Sequence, residues 1–308
     1  MMTPAIQDTP APRPAAAPSP WNVAELLELL LECGRIGLHY FANPSWELKA
    51  DQTLVTPADR EIEALLARHF HHPERGRHLL GEETVMEQEE AALQAMLAGG
   101  ATWVVDPIDG TAPFAHGLAY WGTSIGLMER GVMTQGAVFL PKEGELFIST
   151  GDRVLFADRV DPHLPADTVE LRPLQPRPLP FNGGGMVALS QVIAKAGRFT
   201  GPNPVHNTCC AINALTYLML GRYMAYFGHM RLWDLAGSYP LLLKAGFEGT
   251  HLDGRPFPPV VDNTHFTLDP GSPKRFAIRD GAVFAPRGMA PDLLPLVSFA
   301  GPPPPAAT

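Results

Sequence analysis

The sequence is poor in the features that define several protein classes. It contains only three cysteines in 308 residues, Cys33, Cys209 and Cys210, and no CxxC pair. A disulfide framework is therefore not expected. We expect the cysteines to be reduced thiols of a cytoplasmic protein. No apolar run is long enough to cross a bilayer, and the first twenty residues lack an apolar stretch of signal-peptide length. We accordingly expect no membrane association.

Positive charge is also scarce. The chain has 23 Lys and Arg against 32 Asp and Glu, which gives a formal net charge of -9 at pH 7. Because attraction to phosphate polymers requires a basic field, no nucleic-acid partner is expected. An anionic small ligand would have to be held locally, by bound cations or by backbone N–H groups.

Apolar residues, in contrast, make up 45% of the chain, which is enough for a large core. The ends differ from the body. The Pro/Ala-rich segments 1–20 and 301–308 are predicted to be disordered tails, because they cannot bury enough apolar surface to become ordered. Between them we predict an N-terminal α+β domain (21–158) and a C-terminal α/β domain (159–300), with the proline-dense residues 159–180 at the join.

Periodicity and capping signals predict the main elements. Thr56 followed by Pro57 is typical of a helix start, with Thr56 as the N-cap. Residues 102–157 have the spacing of an antiparallel meander. The remaining predictions are helices over 21–41, 86–97, 211–220, 235–245 and 291–299, and a strand over 276–278.

The stretch Thr102–Phe114, TWVVDPIDGTAPF, places two carboxylates at the end of an apolar strand. Pro107 fixes the backbone between Asp106 and Asp109, which allows both side chains to turn to one point. Two like charges about 4 Å apart cost about 4 kcal/mol at an effective dielectric near 20, so the pair needs a counter-cation. Mg²⁺ fits, because it prefers carboxylate and carbonyl oxygens. An ordinary Asx-rich turn with a left-handed glycine is the alternative.

Three further acidic motifs accompany this one along the chain. In sequence order, Asp59, Gly81-Glu82-Glu83-Thr84, the DPIDGT stretch and Trp233-Asp234 resemble the signature of the inositol monophosphatase family, the lithium-sensitive, magnesium-dependent phosphatases. The similarity spans about residues 21–299. It implies an α/β fold, a layered αβαβα sandwich of the sugar-phosphatase kind, and a metal cluster between two domains.

The resemblance also implies a role for each matching residue. A water activated by Mg²⁺ would attack a small phosphate monoester, with two ions bound and a third possible near Glu82 and Glu83. Glu82 and Thr111 would orient that water, Asp59 would hydrogen-bond to Thr111, and Gly110 and Thr111 would present N–H groups to the phosphate. The implied metal ligands are Glu82, Glu83, Asp106, the carbonyl of Ile108, Asp109 and Asp234.

Several of these residues have simpler explanations. Asp59 in a first helical turn is explained by capping alone. Lys49 is a candidate substrate contact, but most lysines are solvated at the surface. The histidine-rich segment 69–78 matches no zinc spacing and is interpreted as a polar loop at a helix end. Cys209 and Cys210 are predicted to be buried small residues on a helix.

The substrate is less well defined, because the sequence departs from the family there. Pro113 stands where family members often have asparagine, and Phe227 or Gly228 stands where inositol phosphatases often have an acid. His229 and Arg231 are candidate contacts to a second anionic group. An inositol-monophosphatase-like activity is the first candidate, and histidinol phosphate, fructose 1,6-bisphosphate and 3'-phosphoadenosine nucleotides are the alternatives. A regulatory binding protein of the same fold, and a homodimer, are also considered.

Overall fold

The computed structural model describes residues 20–299 and contains two large β-sheets with helices around and between them. The predicted tails lie outside the described residues, except for Pro20. The α-helices are α1 (Val23–Phe41), α2 (Pro57–Phe70), α3 (Glu90–Ala98), α4 (Thr111–Ala115), α5 (Gln191–Ala196), α6 (Ala211–Met219), α7 (Leu232–Ala236), α8 (Tyr239–Lys244) and α9 (Ala290–Leu293). None of the helices within 20–299 is long and apolar enough to cross a membrane.

Most of the strands belong to the two large sheets. The strands are β1 (Glu47–Leu48), β2 (Leu54–Val55), β3 (Arg77–Gly81), β4 (Ala101–Asp109), β5 (Gly122–Glu129), β6 (Val132–Leu140), β7 (Glu145–Thr150), β8 (Arg153–Ala157), β9 (Arg172–Pro173), β10 (Val187–Leu189), β11 (Gly197–Phe199), β12 (Val205–His206), β13 (Ala225–Gly228), β14 (Phe247–His251), β15 (Pro256–Phe257), β16 (Ala282–Pro286) and β17 (Val297–Phe299). One large sheet has seven strands in the order β3-β4-β5-β6-β7-β8-β9, and the other has six in the order β12-β10-β13-β16-β14-β15.

The layers alternate as predicted, which confirms the αβαβα sandwich. Helices α1 and α2 pack on the outer face of the seven-stranded sheet. Helices α6, α7 and α8 lie between the two sheets, within one apolar cluster that takes side chains from both. Helices α5 and α9 cover the far face of the six-stranded sheet. Any residue at the N-terminus of a middle-layer helix is therefore close to both sheets.

The first half of the chain forms largely as its local signals predict. The meander β4–β8 is antiparallel throughout, and β3 pairs with β4 in parallel. Helix α2 begins with a capping box, in which Thr56 caps the Asp59 N–H and the Asp59 carboxylate accepts from the Thr56 N–H. Strand β9 joins the seven-stranded sheet although it lies beyond the predicted domain boundary at 158, so that boundary stays a prediction.

Several predictions for the second half are wrong. The helix predicted over 235–245 is two helices, α7 and α8, separated at Gly237 and Ser238. Ala277 and Ile278 form isolated bridges rather than a strand, and Phe276 lies in a turn with φ 65°. The last predicted helix ends early, because residues 297–299 pair with β11 instead. In each case contacts with distant segments override a local apolar pattern.

A buried carboxylate in the turn between β6 and β7 gives the structure a pH-dependent contribution to stability. Glu143 accepts hydrogen bonds from Asn213 Nδ2 at 3.3 Å and Tyr217 Oη at 3.4 Å on α6. Burial raises the pKa of Glu143 to about 7, and the nearby Glu145 contributes in the same direction. Because the folded state then binds the proton more tightly than the unfolded state, the free energy of unfolding falls as pH rises from about 4.5 to 7.

Replacing Glu143 removes this loss. We compare the free energy of unfolding of Glu143→Gln with that of wild type at each pH. The variant's advantage over wild type should be about 1 to 2 kcal/mol larger at pH 8 than at pH 5, after allowance for partial exposure. Urea unfolding of both proteins at the two pH values measures it. The exposed Glu170→Gln serves as the matched control. An equal pH dependence in wild type and Glu143→Gln would contradict the prediction.

Candidate metal centre and active site

Two of the predicted metal carboxylates stand at the end of β4. The pairing of β4 with β5 shifts register between Asp106 and Asp109, which are paired with Ser124 and Gly122. Pro107 cannot donate to the ladder, and its carbonyl accepts a hydrogen bond from Thr123 Oγ1 at 2.8 Å. The irregularity re-aims the side chains on either side of it, as β-bulges do near active sites.

The chain then turns sharply into the short helix α4. Gly110 has φ 89° and precedes the first residue of the helix, a left-handed conformation that glycine adopts without steric cost. Thr111 follows, and its hydroxyl donates to the carbonyl of Ile108 at 3.0 Å. The predicted hydrogen bond from Asp59 to Thr111 is not among those of the described residues. The Thr111 hydroxyl is instead hydrogen-bonded to the Ile108 carbonyl, beside the aspartates.

The third aspartate comes from the middle layer, more than one hundred residues later. Asp234 lies in the first turn of α7, where its Oδ2 accepts from the Arg231 N–H at 2.8 Å. Helix α7 approaches the seven-stranded sheet closely, since a Cβ atom at Gly126 or Gly136 would collide with backbone atoms of Ala236 or Gly237. The absence of side chains at Gly126 and Gly136 therefore allows α7, and with it Asp234, to lie close to the seven-stranded sheet.

The three carboxylates converge. Asp106, Asp109 and Asp234 each offer an oxygen within 4.8 Å of the others, as a cation-binding group would. Asp109 is also tied to the middle layer, because its Oδ2 accepts from the Ile212 N–H at the start of α6 at 2.5 Å. The predicted meeting of these side chains is therefore seen in the structure.

Burial and mutual repulsion make this cluster electrostatically costly. Burial, followed by the charges of Glu82 and Asp109, raises the pKa of Asp106 well above its usual range. Burial and the neighbouring Asp234 raise the pKa of Asp109 to about 8. Asp106 Oδ1 is buried and has no hydrogen-bond partner among the described residues. An unpartnered carboxylate oxygen in an all-oxygen donor set fits a hard divalent cation.

The predicted Glu82-Glu83 pair lies at the end of β3, where Lys49 contacts both residues. Lys49 Nζ is 2.7 Å from Glu83 Oε1 and 3.5 Å from Glu82 Oε1. Burial raises the pKa of Glu82 well above its usual range, and repulsion from Asp234 and Glu83 adds to the effect. Glu82 and the aspartates thus influence one another's pKa values, although Glu82 is not one of the three residues whose oxygens lie within 4.8 Å of one another. Lys49 contacts carboxylates rather than solvent.

Sequence reasoning missed one positioning residue, Glu63. Its carboxylate is buried on α2 and accepts from the N–H groups of Glu83 and Thr84 at 2.9 and 3.0 Å. It therefore fixes the loop that carries Glu82. The available signal was an acid four residues after Asp59, on the helix face that is otherwise apolar.

Asp59 occupies the same buried helix face. Its Oδ2 accepts from the Thr56 N–H at 2.8 Å and the Thr56 hydroxyl at 2.5 Å, so the capping explanation applies to this oxygen. Its Oδ1 is buried and has no hydrogen-bond partner within residues 20–299. Burial raises the pKa of Asp59 to about 7. Capping therefore explains the position of Oδ2 but leaves Oδ1 without a partner.

An open pocket of about 200 Å³ adjoins the aspartates. Asp109 and Asp234 line it, together with His229, Ser190 and Asn207 among others. Arg231 does not line it. Its guanidinium donates to the carbonyls of Pro273 and Arg275, at 3.3 Å each.

The prediction for the cysteine pair is half right. Cys210 is buried and precedes α6, but Cys209 is exposed, lies outside the helix and has φ 55°. Both residues line the pocket. The Asn207 side chain accepts from the Cys209 N–H at 2.8 Å, an Asx turn that explains how a residue other than glycine holds this conformation.

Comparison with known proteins agrees with this geometry. The model of the inositol monophosphatase family matches residues 26–278, most of the chain. This chain belongs to the inositol monophosphatase family.

Among curated relatives of this family member is Inositol monophosphatase 2 of Saccharomyces cerevisiae. It is 29% identical over 213 residues, which cover 63% of this chain and 68% of the yeast protein. A Histidinol-phosphatase of Chlorobaculum parvum is 36% identical over 125 residues, which cover 39% of this chain and 44% of that protein. The Thermotoga maritima IMPase has the same fold, with a TM-score of 0.61 at 17% identity over 88% of this chain and 94% of that one.

The contact between Lys49 and the glutamates generates a prediction about metal-free protein. Lys49→Met leaves Glu82 and Glu83 without their cation, and breaking such a partly buried pair should cost about 1 to 2 kcal/mol. We expect Tm without metal to fall by about 2–4 °C. Mg²⁺ should raise Tm more in the variant than in wild type, because it restores positive charge. Differential scanning calorimetry with and without Mg²⁺ measures both effects.

The exposed Lys195→Met is the control for loss of a lysine. It should leave both Tm values as they are in wild type. If Lys49→Met behaves in the same way as this control, the ion pair contributes nothing to the metal-free fold.

Proposed function

We propose that this protein is a Mg²⁺-dependent phosphoric monoester hydrolase that acts on a small phosphorylated metabolite. The observation that carries the proposal is the convergence of Asp106, Asp109 and Asp234 within 4.8 Å, beside a pocket open to solvent. Buried carboxylates in this number need cations to offset their repulsion. Membership of the family supports the same reaction class.

The residues that would hold Mg²⁺ are those of the β4 end and its neighbours. They are Asp106, Asp109, Asp234, Glu82 and the carbonyl of Ile108 for two ions, with Glu82 and Glu83 available to a third. When bound, the ions would lower the pKa of water and offset charge on the phosphate oxygens.

The chain's own groups would orient the reactants. The Thr111 hydroxyl, which donates to the Ile108 carbonyl, would accept a hydrogen bond from the attacking water. Glu82, beside the aspartates, would accept the proton taken from that water. Asp59 would support Thr111 through its unpartnered Oδ1. Gly110 and Thr111 would present backbone N–H groups to the phosphate.

The alcohol half of the substrate is proposed more broadly. An inositol-monophosphatase-like activity is the first candidate, as in the yeast relative, and histidinol phosphate is the alternative that the Chlorobaculum relative supports. Fructose 1,6-bisphosphate and 3'-phosphoadenosine nucleotides are further candidates. A purely regulatory role is less favoured, because a binding protein has no need to retain this costly carboxylate cluster. We propose a cytoplasmic homodimer.

Removing one central carboxylate tests the reaction class. We expect wild type to release phosphate from p-nitrophenyl phosphate only with Mg²⁺, and Asp106→Asn to lose at least about 100-fold in kcat. Metal-free Asp106→Asn should unfold at the same temperature as wild type or higher, because the substitution removes a repelled charge. This stability measurement separates lost chemistry from misfolding.

The control is Asp152→Asn, at a carboxylate that is 93% exposed on a hairpin end. It should keep wild-type activity. Unchanged activity in Asp106→Asn, or equal activity with and without Mg²⁺, would exclude the proposed site.

Lithium gives an independent test of the site. We expect Li⁺ to inhibit, because a small monovalent cation that occupies one carboxylate site supplies too little charge for the reaction. Inhibition at millimolar Li⁺ should weaken as Mg²⁺ is raised if the two ions compete for one site. Phosphate release at rising LiCl, with KCl at matched ionic strength as the control, measures it. Full activity at high Li⁺ would contradict the expectation.

A further inference from the structure

Apart from the two aspartates, the wall of the pocket carries no acid. Of the residues that line the pocket, the acidic ones are Asp109 and Asp234, both of which belong to the proposed metal site. The remaining polar lining consists of neutral groups, among them Ser190, Gln191, Asn207 and His229. The part of a substrate that points away from the metals would therefore meet no free carboxylate.

Two cations stand next to this wall instead. The Arg231 guanidinium donates to the carbonyls of Pro273 and Arg275, on either side of Lys274. The bridge between Arg231 and Ala277 and the hydrogen bond from Ile278 N to Met230 O join the two segments. Lys274 is exposed and is thereby held beside the segment that carries His229.

These cations have no close carboxylate partner. Neither Arg231 nor Lys274 forms an ion pair within 4.0 Å in the part of the chain that the structure describes. Burial lowers the pKa of His229, and the positive charges of Lys274 and Arg231 lower it further. Asp280 acts on His229 in the opposite sense, and Asp51 lies near enough to Arg231 to be stabilised by it. Two cations and one carboxylate therefore act on His229.

We propose that Arg231 and Lys274 select substrates whose alcohol half carries a second anionic group, a carboxylate or another phosphate, and disfavour those that carry an ammonium group. His229, at the same wall, contributes a neutral hydrogen-bonding group. This inference rests on the proposed phosphatase activity. It orders the substrate classes by charge: anionic esters first, neutral polyol esters next and amino-alcohol esters last.

Three two-carbon esters that differ only in the distal group test the order. They are phosphoglycolate with a carboxylate, 2-hydroxyethyl phosphate with a hydroxyl and phosphoethanolamine with an ammonium group. With Mg²⁺ present, we expect kcat/KM for phosphoglycolate to exceed that for phosphoethanolamine at least about tenfold. The difference should lie mainly in KM, because the distal group is unchanged during the reaction.

Variants that change the charge next to the wall then test whether Lys274 and Arg231 cause the preference for phosphoglycolate. Lys274→Gln should reduce the ratio of the two kcat/KM values about threefold or more, and Lys274→Gln with Arg231→Gln should bring it near one. His229→Glu places a carboxylate on the wall and should reverse the ratio in favour of phosphoethanolamine. Lys195→Gln, at an exposed lysine on α5 that does not line the pocket, makes the same charge change and should leave the ratio at its wild-type value.

The possible failures are distinguishable. If p-nitrophenyl phosphate and all three esters resist hydrolysis, the proposed function itself is wrong and this inference falls with it. If the esters are hydrolysed at equal kcat/KM, the phosphatase activity stands but the charge selection is wrong. A preference for phosphoglycolate that survives in the double variant equally removes Arg231 and Lys274 as its cause.

Discussion

The fold is organised around carboxylates that repel one another in a buried place. Desolvation and mutual repulsion raise the pKa values of Asp106, Asp109 and Glu82, so the folded chain carries an electrostatic cost where the middle helices meet the seven-stranded sheet. Such a cost persists only when the surrounding structure over-determines the position of each group. The apolar clusters that hold β4, α2 and the middle helix layer provide that support.

Asp106 and Asp109 on β4 and Asp234 on α7 stand on elements of regular structure, whereas Glu82 and Glu83 lie in the loop after β3. Asp109 and Asp234 are both bound by N–H groups at the starts of middle-layer helices, Ile212 N and Arg231 N. Glu63 ties down the loop of Glu82 in the same manner. Precise placement of this kind is what catalysis by positioned charge requires. The pocket walls combine residues of β10, α5, α6 and β13 with the connecting segments 207–210 and 229–230, where substrate choice can change without disturbing the ligands.

The chemistry of the site was easier to predict than its architecture. The DPIDGT stretch, the double glutamate and the Trp-Asp pair identify carboxylates by residue type and spacing alone, and the structure brings the three aspartates together. The contacts that position them were not predictable. Glu63 looks like an ordinary helical acid, and Lys49 looks like a surface lysine, until the fold places both against Glu83.

The sequence by itself determined the helix start at Thr56, the antiparallel meander and the identity of the acidic groups, because capping, alternation and motif spacing are local signals. The layered fold was implied by the resemblance to the family. Only the tertiary structure decided the second sheet, the break between α7 and α8 and the strand β17, because pairing with distant strands outweighs short-range propensity. The tertiary structure also decided which charged side chains lie next to the pocket. Lys274 and Arg231 are 43 residues apart in sequence by their numbering, and hydrogen bonds to backbone carbonyls bring them together.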